Sequence, residues 1–290
     1  MHKILLTGSS GFIGSNILNS FSKDYKFYIL VRKKPTKTYL KNKNIKIIKF
    51  KKYNSLNSKL KKIKIDTVIH CATHYVKDHK FQDIEKLCYS NLIFGNIILE
   101  NLKNLKASKF INFSTVWEDG NAKKDNIENL YSAYKKNFST ILSFYKKNFK
   151  KVNFYELMVS DTFGNNDQRK KIIHTLKMNY HKNKSTAIIS KNLYMNLLNV
   201  SDIINAIELI LKKNVIPNKY SITNTFNIKI QDLVKIFNTQ SQKRLKVRWL
   251  SNRKIKYKIY PYDKLNGWKP RNSYIKDIIN YIKVKRNLWL

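Results

Sequence analysis

A tyrosine and a lysine four residues apart, Tyr131 and Lys135, are the pair in this sequence best suited to proton transfer. Because residues i and i+4 lie on the same side of a helix, the ammonium group would stand next to the phenol. A nearby positive charge lowers the pKa of a phenol, so the tyrosine could donate or accept a proton near neutral pH. The pair therefore predicts chemistry on a carbonyl or an alcohol oxygen.

The position of this pair in the sequence, and not its spacing, distinguishes it from other Tyr/Lys pairs. The same spacing recurs at Tyr39/Lys43, Tyr180/Lys184, Tyr260/Lys264 and Tyr281/Lys285. Tyr131 alone begins a predicted helix, over 131–147, that follows an apolar segment ending in two hydroxyl residues, Ser114 and Thr115. We therefore predict Tyr131 and Lys135 as catalytic residues, with the hydroxyls of Ser114 and Thr115 at the end of the preceding segment.

A glycine-rich segment near the N-terminus could bind phosphate. Gly8, Gly11 and Gly14 are three of the seven glycines of the chain, and they separate the apolar run 4–6 from an amphipathic stretch that begins at Phe12. A strand-to-helix turn of this kind presents the backbone N–H groups of a helix N-terminus to a pyrophosphate. The glycines permit the tight turn, the approach of the phosphates and close helix–strand packing. The residues predicted to bind a dinucleotide are Gly8, Ser10, Gly11, Phe12, Ile13 and Gly14.

Strands and helices alternate through the first half of the sequence. After the first strand, further apolar runs that read as strands lie at 27–31, 45–50, 66–72, 109–117 and 152–159. Helical periodicity covers 81–102 and 131–147. The alternation predicts an α/β fold, a doubly wound parallel sheet of the Rossmann-like type.

The alternation becomes irregular past residue 160, and no linker rich in proline or glycine separates the two parts. We predict an NAD(P)-binding domain over 1–160 and a smaller, mainly substrate-binding lobe over 161–290. About 196–213 is expected to return to the core of the first domain.

The end of the second predicted strand bears on the choice of cofactor. Arg32, Lys33 and Lys34 follow Val31, and no acidic residue stands there. An acid at this place would hold the ribose 2′-hydroxyl of NAD, whereas an arginine accommodates the 2′-phosphate of NADP. The sequence therefore favours NADP, with NAD as the alternative.

The net charge of +40 raises the question of a nucleic-acid partner. The lysines are spread over the whole chain and asparagine is also abundant, so an AT-rich coding bias explains the composition better. A positive field would still attract an anionic substrate. No apolar run is long enough to cross a membrane, and Cys71 and Cys88 form no disulfide framework or metal pattern. We expect a cytoplasmic protein without metal, membrane or nucleic-acid partners.

Taken together, these motifs resemble the extended branch of the short-chain dehydrogenase/reductase superfamily, the NAD-dependent epimerase/dehydratase family. The segments that look most like its CDP-abequose and CDP-paratose synthase branch are 110–112 with Trp117, 129–135, 160–170, 199–202 and 265–270. The resemblance implies reduction of a 4-keto-deoxyhexose carried on a nucleotide, in the synthesis of surface-polysaccharide sugars. It also implies that a homodimer can form.

The same resemblance implies roles for particular residues. Tyr131 would protonate the sugar oxygen, while Lys135 would tune the tyrosine and hold the nicotinamide ribose. Asn91 on the central helix would support the active-site backbone. The residues that would line the cofactor after the fourth strand are Cys71, Ala72 and Thr73. Those that would meet the sugar nucleotide are Asp161 and Arg169.

The third catalytic residue departs from the family pattern. The family usually places a Ser or Thr four residues before an aromatic residue, and four residues before Trp117 stands Phe113. Ser114 is slightly favoured over Thr115 as its substitute. A nucleotide-sugar 4-epimerase or a dehydratase remains an alternative, although a dehydratase usually carries an Asp-Glu pair where Val116 and Trp117 stand. An alternative of another class is a catalytically degenerate dinucleotide-binding or RNA-binding protein.

Overall fold

The computed structural model describes residues 1–32, 41–124, 126–271 and 274–285, with the side chain of Asn54 excepted. The chain forms two compact units. The first comprises 1–158, 214–221 and 259–265, and the second comprises 159–213, 222–258 and the described residues from 266 onward. The first long stretch ends near the expected residue 160. However, 196–213 belongs to the second unit, and the segments that return to the first are 214–221 and 259–265.

The strands of the described residues alternate with helices in the first unit and are short in the second. In chain order they are β1 (Lys3–Thr7), β2 (Lys26–Val31), β3 (Ile45–Lys49), β4 (Thr67–His70), β5 (Lys109–Thr115), β6 (Asn153–Val159), β7 (Asp161–Phe163), β8 (Thr186–Ile188), β9 (Leu193–Met195), β10 (Leu197–Asn199), β11 (Lys219–Ile222), β12 (Ile228–Lys229), β13 (Val247–Trp249), β14 (Ile255–Lys256) and β15 (Asp263–Lys264).

The helices of the described residues are α1 (Phe12–Phe21), α2 (Tyr53–Leu60), α3 (Ile84–Cys88), α4 (Phe94–Glu100), α5 (Leu102–Leu105), α6 (Leu130–Asn148), α7 (Ile172–His181), α8 (Val200–Lys212), α9 (Ile230–Thr239) and α10 (Tyr274–Lys283). A π-helical turn, Tyr89–Ile93, joins α3 to α4, and two 3-10 segments are Phe81–Asp83 and Val116–Ala122. None of these helices has the length and apolar character needed to cross a membrane.

The sheet of the first unit has eight strands within the described residues, in the order β15-β11-β6-β5-β4-β1-β2-β3. β1 pairs in parallel with β2 and β4, β2 with β3, and β4 with β5. The order β3-β2-β1-β4-β5-β6 is that of a dinucleotide-binding sheet, and ligands bind beside the carboxyl ends of its strands, where the order reverses. The predicted α/β, doubly wound fold is confirmed.

Close packing of two helices brings α6 against the sheet. A Cβ atom at Gly95 in α4 would lie 2.3 Å from the ring of Phe138 in α6, so only glycine leaves room for that ring. Phe138 is fully buried in a core that also includes Phe110 of β5 and Leu142 of α6. The helix that carries Tyr131 and Lys135 is therefore anchored by apolar burial one turn beyond them.

The second unit has its own core of buried apolar residues from α7, α9 and α10. Its strands form small sheets, in which β7 pairs in parallel with β10 and β9 pairs with β12 and β14. The indole N–H of Trp268 donates to the carbonyl of Asp202 at 2.8 Å, and Arg271 forms a 3.2 Å ion pair with the Asp202 carboxylate. These contacts tie the C-terminal segment to α8.

Candidate active site

The glycine turn between β1 and α1 forms a cradle without side chains. Gly8 has a φ of +70°, and a Cβ atom there would lie 2.7 Å from the Ala72 backbone nitrogen. A Cβ atom at Gly14 would lie 2.2 Å from the carbonyl oxygen of Gly8. Gly11 donates its backbone N–H to that same oxygen at 2.9 Å, which closes the turn. Two positions therefore require glycine, one for its backbone angle and both for space.

The start of α1 suits an anion. The helix begins at Phe12, no side chain caps its N-terminus, and its first turn holds no acidic residue. Ser10 and Gly11 are exposed, Ile13 is half-buried, and Phe12 is packed into the interior. The partial positive charge of a helix N-terminus and its backbone N–H groups bind phosphate. The cradle and the helix N-terminus thus fit the pyrophosphate of a dinucleotide.

The end of β4 lies beside this turn. Thr7 accepts a hydrogen bond from the Ala72 backbone N–H at 3.1 Å, and its hydroxyl lies 3.0 Å from Nδ1 of His70. Burial, with a smaller contribution from the charge of Lys135, lowers the pKa of His70 to about 3. His70 is thus a neutral, buried residue that joins two strand ends. Cys71 is half-buried, and burial raises the pKa of its thiol.

Asn91 fixes the loop that follows β4. Its side-chain oxygen accepts hydrogen bonds from the Thr73 hydroxyl at 2.6 Å and from the His74 N–H at 3.0 Å. Its side-chain nitrogen donates to the carbonyl of His74 at 3.0 Å. Asn91 is buried within the π-helical turn, a feature often found at functional sites. It supports backbone next to the predicted cofactor residues Ala72 and Thr73, which are half-buried and exposed, respectively.

Tyr131 and Lys135 lie in the first two turns of α6. The side chain of Asn129 caps this helix by accepting a hydrogen bond from the Ser132 N–H at 2.9 Å. Tyr131 is half-buried, and its ring meets the ring of Tyr75 edge-on, with centroids 4.9 Å apart. Lys135 is 5% exposed. Burial lowers the pKa of Lys135, while Glu118 and Glu156 oppose that effect.

The two hydroxyls at the end of β5 have different partners. Ser114 is buried and donates its hydroxyl proton to the carboxylate of Glu118. Thr115 instead accepts a hydrogen bond from the Trp117 N–H at 3.3 Å. Since a hydroxyl has one proton, the proton of Ser114 is committed, whereas that of Thr115 is not used by this contact. The sequence slightly favours Ser114 over Thr115 as the third catalytic residue, and this stays a prediction.

Comparison with known proteins assigns the family of this chain. Residues 4–224 match the model of the NAD dependent epimerase/dehydratase family.

The chain belongs to this family.

Relatives within the family act in nucleotide-sugar chemistry, as their names state. The chain is 32% identical over 269 residues to a dTDP-D-glucose 4,6-dehydratase of Dictyostelium discoideum, covering 81% of this chain and 61% of that protein. It therefore spans about three fifths of that relative's length. It is 29% identical over 218 residues to a CDP-abequose synthase of Yersinia pseudotuberculosis, covering 73% and 74% of the two chains.

Solved structures agree on the fold of the family. A UDP-glucuronic acid 4-epimerase of Bacillus cereus, in complex with UDP-glucuronic acid and NAD, superposes with a TM-score of 0.78 at 21% identity, covering 97% of this chain and 99% of that one. A UDP-glucose 4-epimerase of Thermus thermophilus in complex with NAD gives a TM-score of 0.80 at 16% identity, covering 97% of both chains.

A group of charged residues that the sequence did not single out lies beside Lys135. Glu118 follows β5, Glu156 lies on β6, and Lys219 lies on β11. Lys219 donates to Glu118 and forms a 2.9 Å ion pair with Glu156. The only signal in the sequence is the scarcity of acidic residues, 18 in 290, of which Glu118 directly follows the predicted active-site strand.

A second ion pair fixes the residue after Glu118. Asp119 is 1% exposed and forms a 2.8 Å ion pair with Lys136, the neighbour of Lys135 on α6. Its other oxygen accepts a hydrogen bond from the Tyr262 hydroxyl at 2.5 Å. Tyr262 lies in the returning segment 259–265, and burial and the bond to Asp119 raise its pKa to about 12. The buried Asp119 carboxylate therefore holds the loop after β5 to α6 and to this segment.

The remaining predicted residues lie elsewhere in the two units. Arg32 is exposed directly after β2, and Lys33 and Lys34 fall outside the described residues. In the second unit, Arg169 is held by its ion pair with Asp167 at 2.8 Å and by the carbonyl of Thr162. Asp161 forms a 3.2 Å ion pair with Lys171. These two side chains are thus partly neutralised and held in place by their neighbours.

Proposed function

We propose that this protein is an NADPH-dependent reductase of a 4-keto-deoxyhexose carried on a nucleotide, similar in activity to a CDP-abequose synthase. The proposal is supported by Tyr131 and Lys135 on α6, by the glycine cradle and by the relative of that name. Arg32 after β2 supports NADPH over NADH. Tyr131 acts on the oxygen, and the glycine cradle receives the pyrophosphate.

The observation that carries reduction over dehydration is the state of the two carboxylates after Thr115. Dehydration needs an acid and a base that can exchange protons with the sugar. Glu118 is fully buried and bound by Lys219 and Ser114. Asp119 is equally buried and bound by Lys136 and Tyr262. Because both carboxylates are buried and already paired, we propose that neither takes part in a second proton transfer.

The proposed catalytic and cofactor-binding residues then have the following roles in the reduction. The nicotinamide cofactor supplies the hydride when it is bound. Tyr131 donates its phenol proton to the sugar oxygen, and Thr115 donates a hydrogen bond that orients the carbonyl. Lys135 holds a positive charge beside the phenol and binds the nicotinamide ribose. Cys71, Ala72 and Thr73 would line the cofactor.

On the second unit, Asp161 and Arg169 are the residues assigned to the sugar nucleotide. A planar guanidinium that is already held in place suits the oxygens of a diphosphate. The ion pair with Asp167 supplies that support for Arg169. We also propose that the enzyme acts in the cytoplasm, as its two free cysteines suggest. A homodimer is proposed from the family resemblance alone.

Thr115→Val tests the assignment of the third catalytic residue. Valine has nearly the shape of threonine but has no hydroxyl to orient the carbonyl. We expect kcat to fall about 100-fold, the loss typical of removing one such donor. Ser114→Ala leaves Glu118 paired with Lys219, so its main effect should be a loss of stability of about 1–3 kcal/mol. A larger fall in kcat for Ser114→Ala than for Thr115→Val would reverse the assignment.

The proposed function is tested by cofactor binding followed by product analysis. Purified protein is titrated with NADPH and with NADH while nicotinamide fluorescence is followed. We expect tighter binding of NADPH, and then oxidation of NADPH by a 4-keto-deoxyhexose nucleotide. NAD that co-purifies, together with epimerised sugar nucleotide and no net oxidation, would overturn the reductase in favour of an epimerase. Binding of neither cofactor would overturn both enzyme hypotheses, the reductase and the epimerase.

A further inference from the structure

The charged residues beside Lys135 form one connected set, which we call the carboxylate cluster. Its members are Asn112, Ser114, Glu118, Ser139, Glu156 and Lys219. Glu156 accepts hydrogen bonds from Ser139 at 2.7 Å and from the Asn112 amide at 3.3 Å, besides its ion pair with Lys219. Lys219 and the Asn112 amide nitrogen can only donate, which favours ionised carboxylates. Burial raises the pKa of Glu118, and the charge of Lys219 opposes that effect.

Lys135 belongs to the same electrostatic unit. Ser139, which holds Glu156, lies one turn after Lys135 on α6, and its hydroxyl also contacts the carbonyl of Lys135 at 3.3 Å. Glu118 and Glu156 both pair with Lys219, and their negative charges also raise the pKa of Lys135. The charges sum to zero only when both lysines are protonated. Buried charges are tolerated when they are paired in this way.

Lys219 holds the central place in this arrangement. It contacts both carboxylates, and its ammonium group lies 4.5 Å from the centroid of the Tyr262 ring. Burial alone would lower the pKa of Lys219, but Glu156 and Glu118 raise it above its ordinary value. Lys219 therefore remains charged throughout the range in which an enzyme of this kind works.

The other titratable groups around Lys135 and Tyr131 contribute little charge. His70 and Cys71 face Lys135 from the end of β4, and their shifted pKa values keep both neutral near pH 7. Tyr75 meets the ring of Tyr131, and burial raises the pKa of Tyr134. Asp119 and Lys136 neutralise each other in their ion pair, and the Tyr262 hydroxyl is bonded to Asp119. Among the described residues, Glu118 and Glu156 of the carboxylate cluster are the carboxylates whose charge acts on Lys135.

We propose that Lys219 is a positioning residue for the reaction, which sets the acidity of Tyr131 by balancing Glu118 and Glu156 around Lys135. This inference rests on the proposed function, in which Tyr131 donates a proton to the sugar oxygen. It also gives the cluster a second task, since Lys219 occupies Glu118 and thereby keeps that carboxylate from the sugar. The cluster joins β5, β6, β11 and α6, so the charge balance depends on the fold of the first unit.

The sign of the effect follows from charge. Reduction requires the protonated phenol of Tyr131, so kcat/KM falls as pH rises through the pKa of that phenol. This fall is the alkaline limb of the pH profile. Lys219→Met leaves one uncompensated negative charge near the phenol, which holds its proton more tightly and moves this alkaline limb to higher pH. Glu156→Gln leaves an uncompensated positive charge and moves the limb to lower pH. We expect each shift to be about one pH unit.

Two further variants separate charge from structure. The double variant Lys219→Met/Glu156→Gln removes one charge of each sign, so its limb should return close to that of the wild type. Lys219→Arg keeps the charge and should retain the wild-type limb even if its turnover falls. The matched control is Lys212→Met, which removes a lysine from an exposed pair with Glu208 on α8 and should leave the limb unchanged.

The experiment measures kcat/KM of the full chain against pH, with NADPH and a 4-keto nucleotide sugar. Opposite shifts that cancel in the double variant are the expected result. Unchanged limbs in an active enzyme, or shifts of the same sign in both single variants, would overturn the inference while leaving the reductase intact. If Lys219→Met does not fold, Glu156→Gln alone must still move the limb to lower pH.

A second measurement does not depend on turnover. The protein is labelled with carbon-13 at the ring carbon that bears the tyrosine hydroxyl, and the signal of Tyr131 is assigned by its loss in Tyr131→Phe. NMR titration then follows the phenol directly, with the same opposite shifts expected. If the wild type reduces no 4-keto nucleotide sugar, the proposed function fails, and this titration decides the inference by itself.

Discussion

Tyr131→Phe should lower kcat by roughly 10²- to 10⁴-fold, the contribution typical of a positioned acid or base. The variant lacks only the hydroxyl, so the ring that meets Tyr75 edge-on is retained. We expect the dissociation constant of NADPH to stay within about twofold, because no cofactor contact is assigned to the hydroxyl and twofold is only about 0.4 kcal/mol. Steady-state kinetics and a fluorescence titration of NADPH measure the two quantities.

Tyr134→Phe is the matched control for this prediction. Tyr134 lies three residues later on the same helix and is also half-buried. Its hydroxyl has no role in the proposed reaction, so kcat should change by less than about twofold, within the range of ordinary surface effects. Equal losses in both variants would show that α6 tolerates neither change structurally. Full activity of Tyr131→Phe would remove Tyr131 from the proton transfer.

Much of the fold follows from local pattern. The predicted helix 131–147 is observed as Leu130–Asn148, and the apolar runs 27–31 and 45–50 are observed as β2 and β3. These elements are set by periodicity and by the residues at their ends, such as the capping side chain of Asn129. The glycine turn is also local, since the contact of Gly14 with Gly8 spans six residues.

The different hydrogen bonds of Ser114 and Thr115 could not be predicted in this way. Ser114 and Thr115 are adjacent hydroxyls, and the difference between them is made by a partner, Glu118. Glu118 in turn is held by Lys219, which lies 101 positions away. With 58 basic residues in the chain, no local signal marks this lysine. The choice between Ser114 and Thr115 therefore depends on long-range pairing of strands.

The segments that return to the first unit could not be predicted from local pattern either. The sequence suggested that 196–213 would rejoin the first domain, because a short apolar strand precedes a helix there. The segments that join the first unit are 214–221 and 259–265, through β11 and β15 at the edge of the sheet. Each adds a residue that holds the loop after β5, Lys219 and Tyr262. Strands this short carry almost no sequence pattern, so their place beside β6 could not be read from the sequence.

Gly14→Ala should abolish useful cofactor binding, with the dissociation constant of NADPH rising about 100-fold or more. The added methyl would lie 2.2 Å from the carbonyl oxygen of Gly8, a backbone atom that cannot move aside without shifting the turn. Relieving the contact displaces α1 from β1 and carries its N-terminal N–H groups away from the phosphates. A strain of roughly 1–3 kcal/mol is typical of such overpacking.

Helix propensity makes this test stringent, because alanine is favoured over glycine inside a helix by about 1 kcal/mol. Alanine should by itself stabilise the helix, so any loss of stability or binding in Gly14→Ala comes from the steric contact. Ser20→Ala, at an exposed position of the same helix, places alanine in α1 without any such contact and should bind NADPH like the wild type. Fluorescence titration gives both dissociation constants, and circular dichroism checks that the helix content is retained. Wild-type affinity in Gly14→Ala would mean that the phosphates do not depend on close packing of α1 against β1, and would place the dinucleotide elsewhere on the sheet.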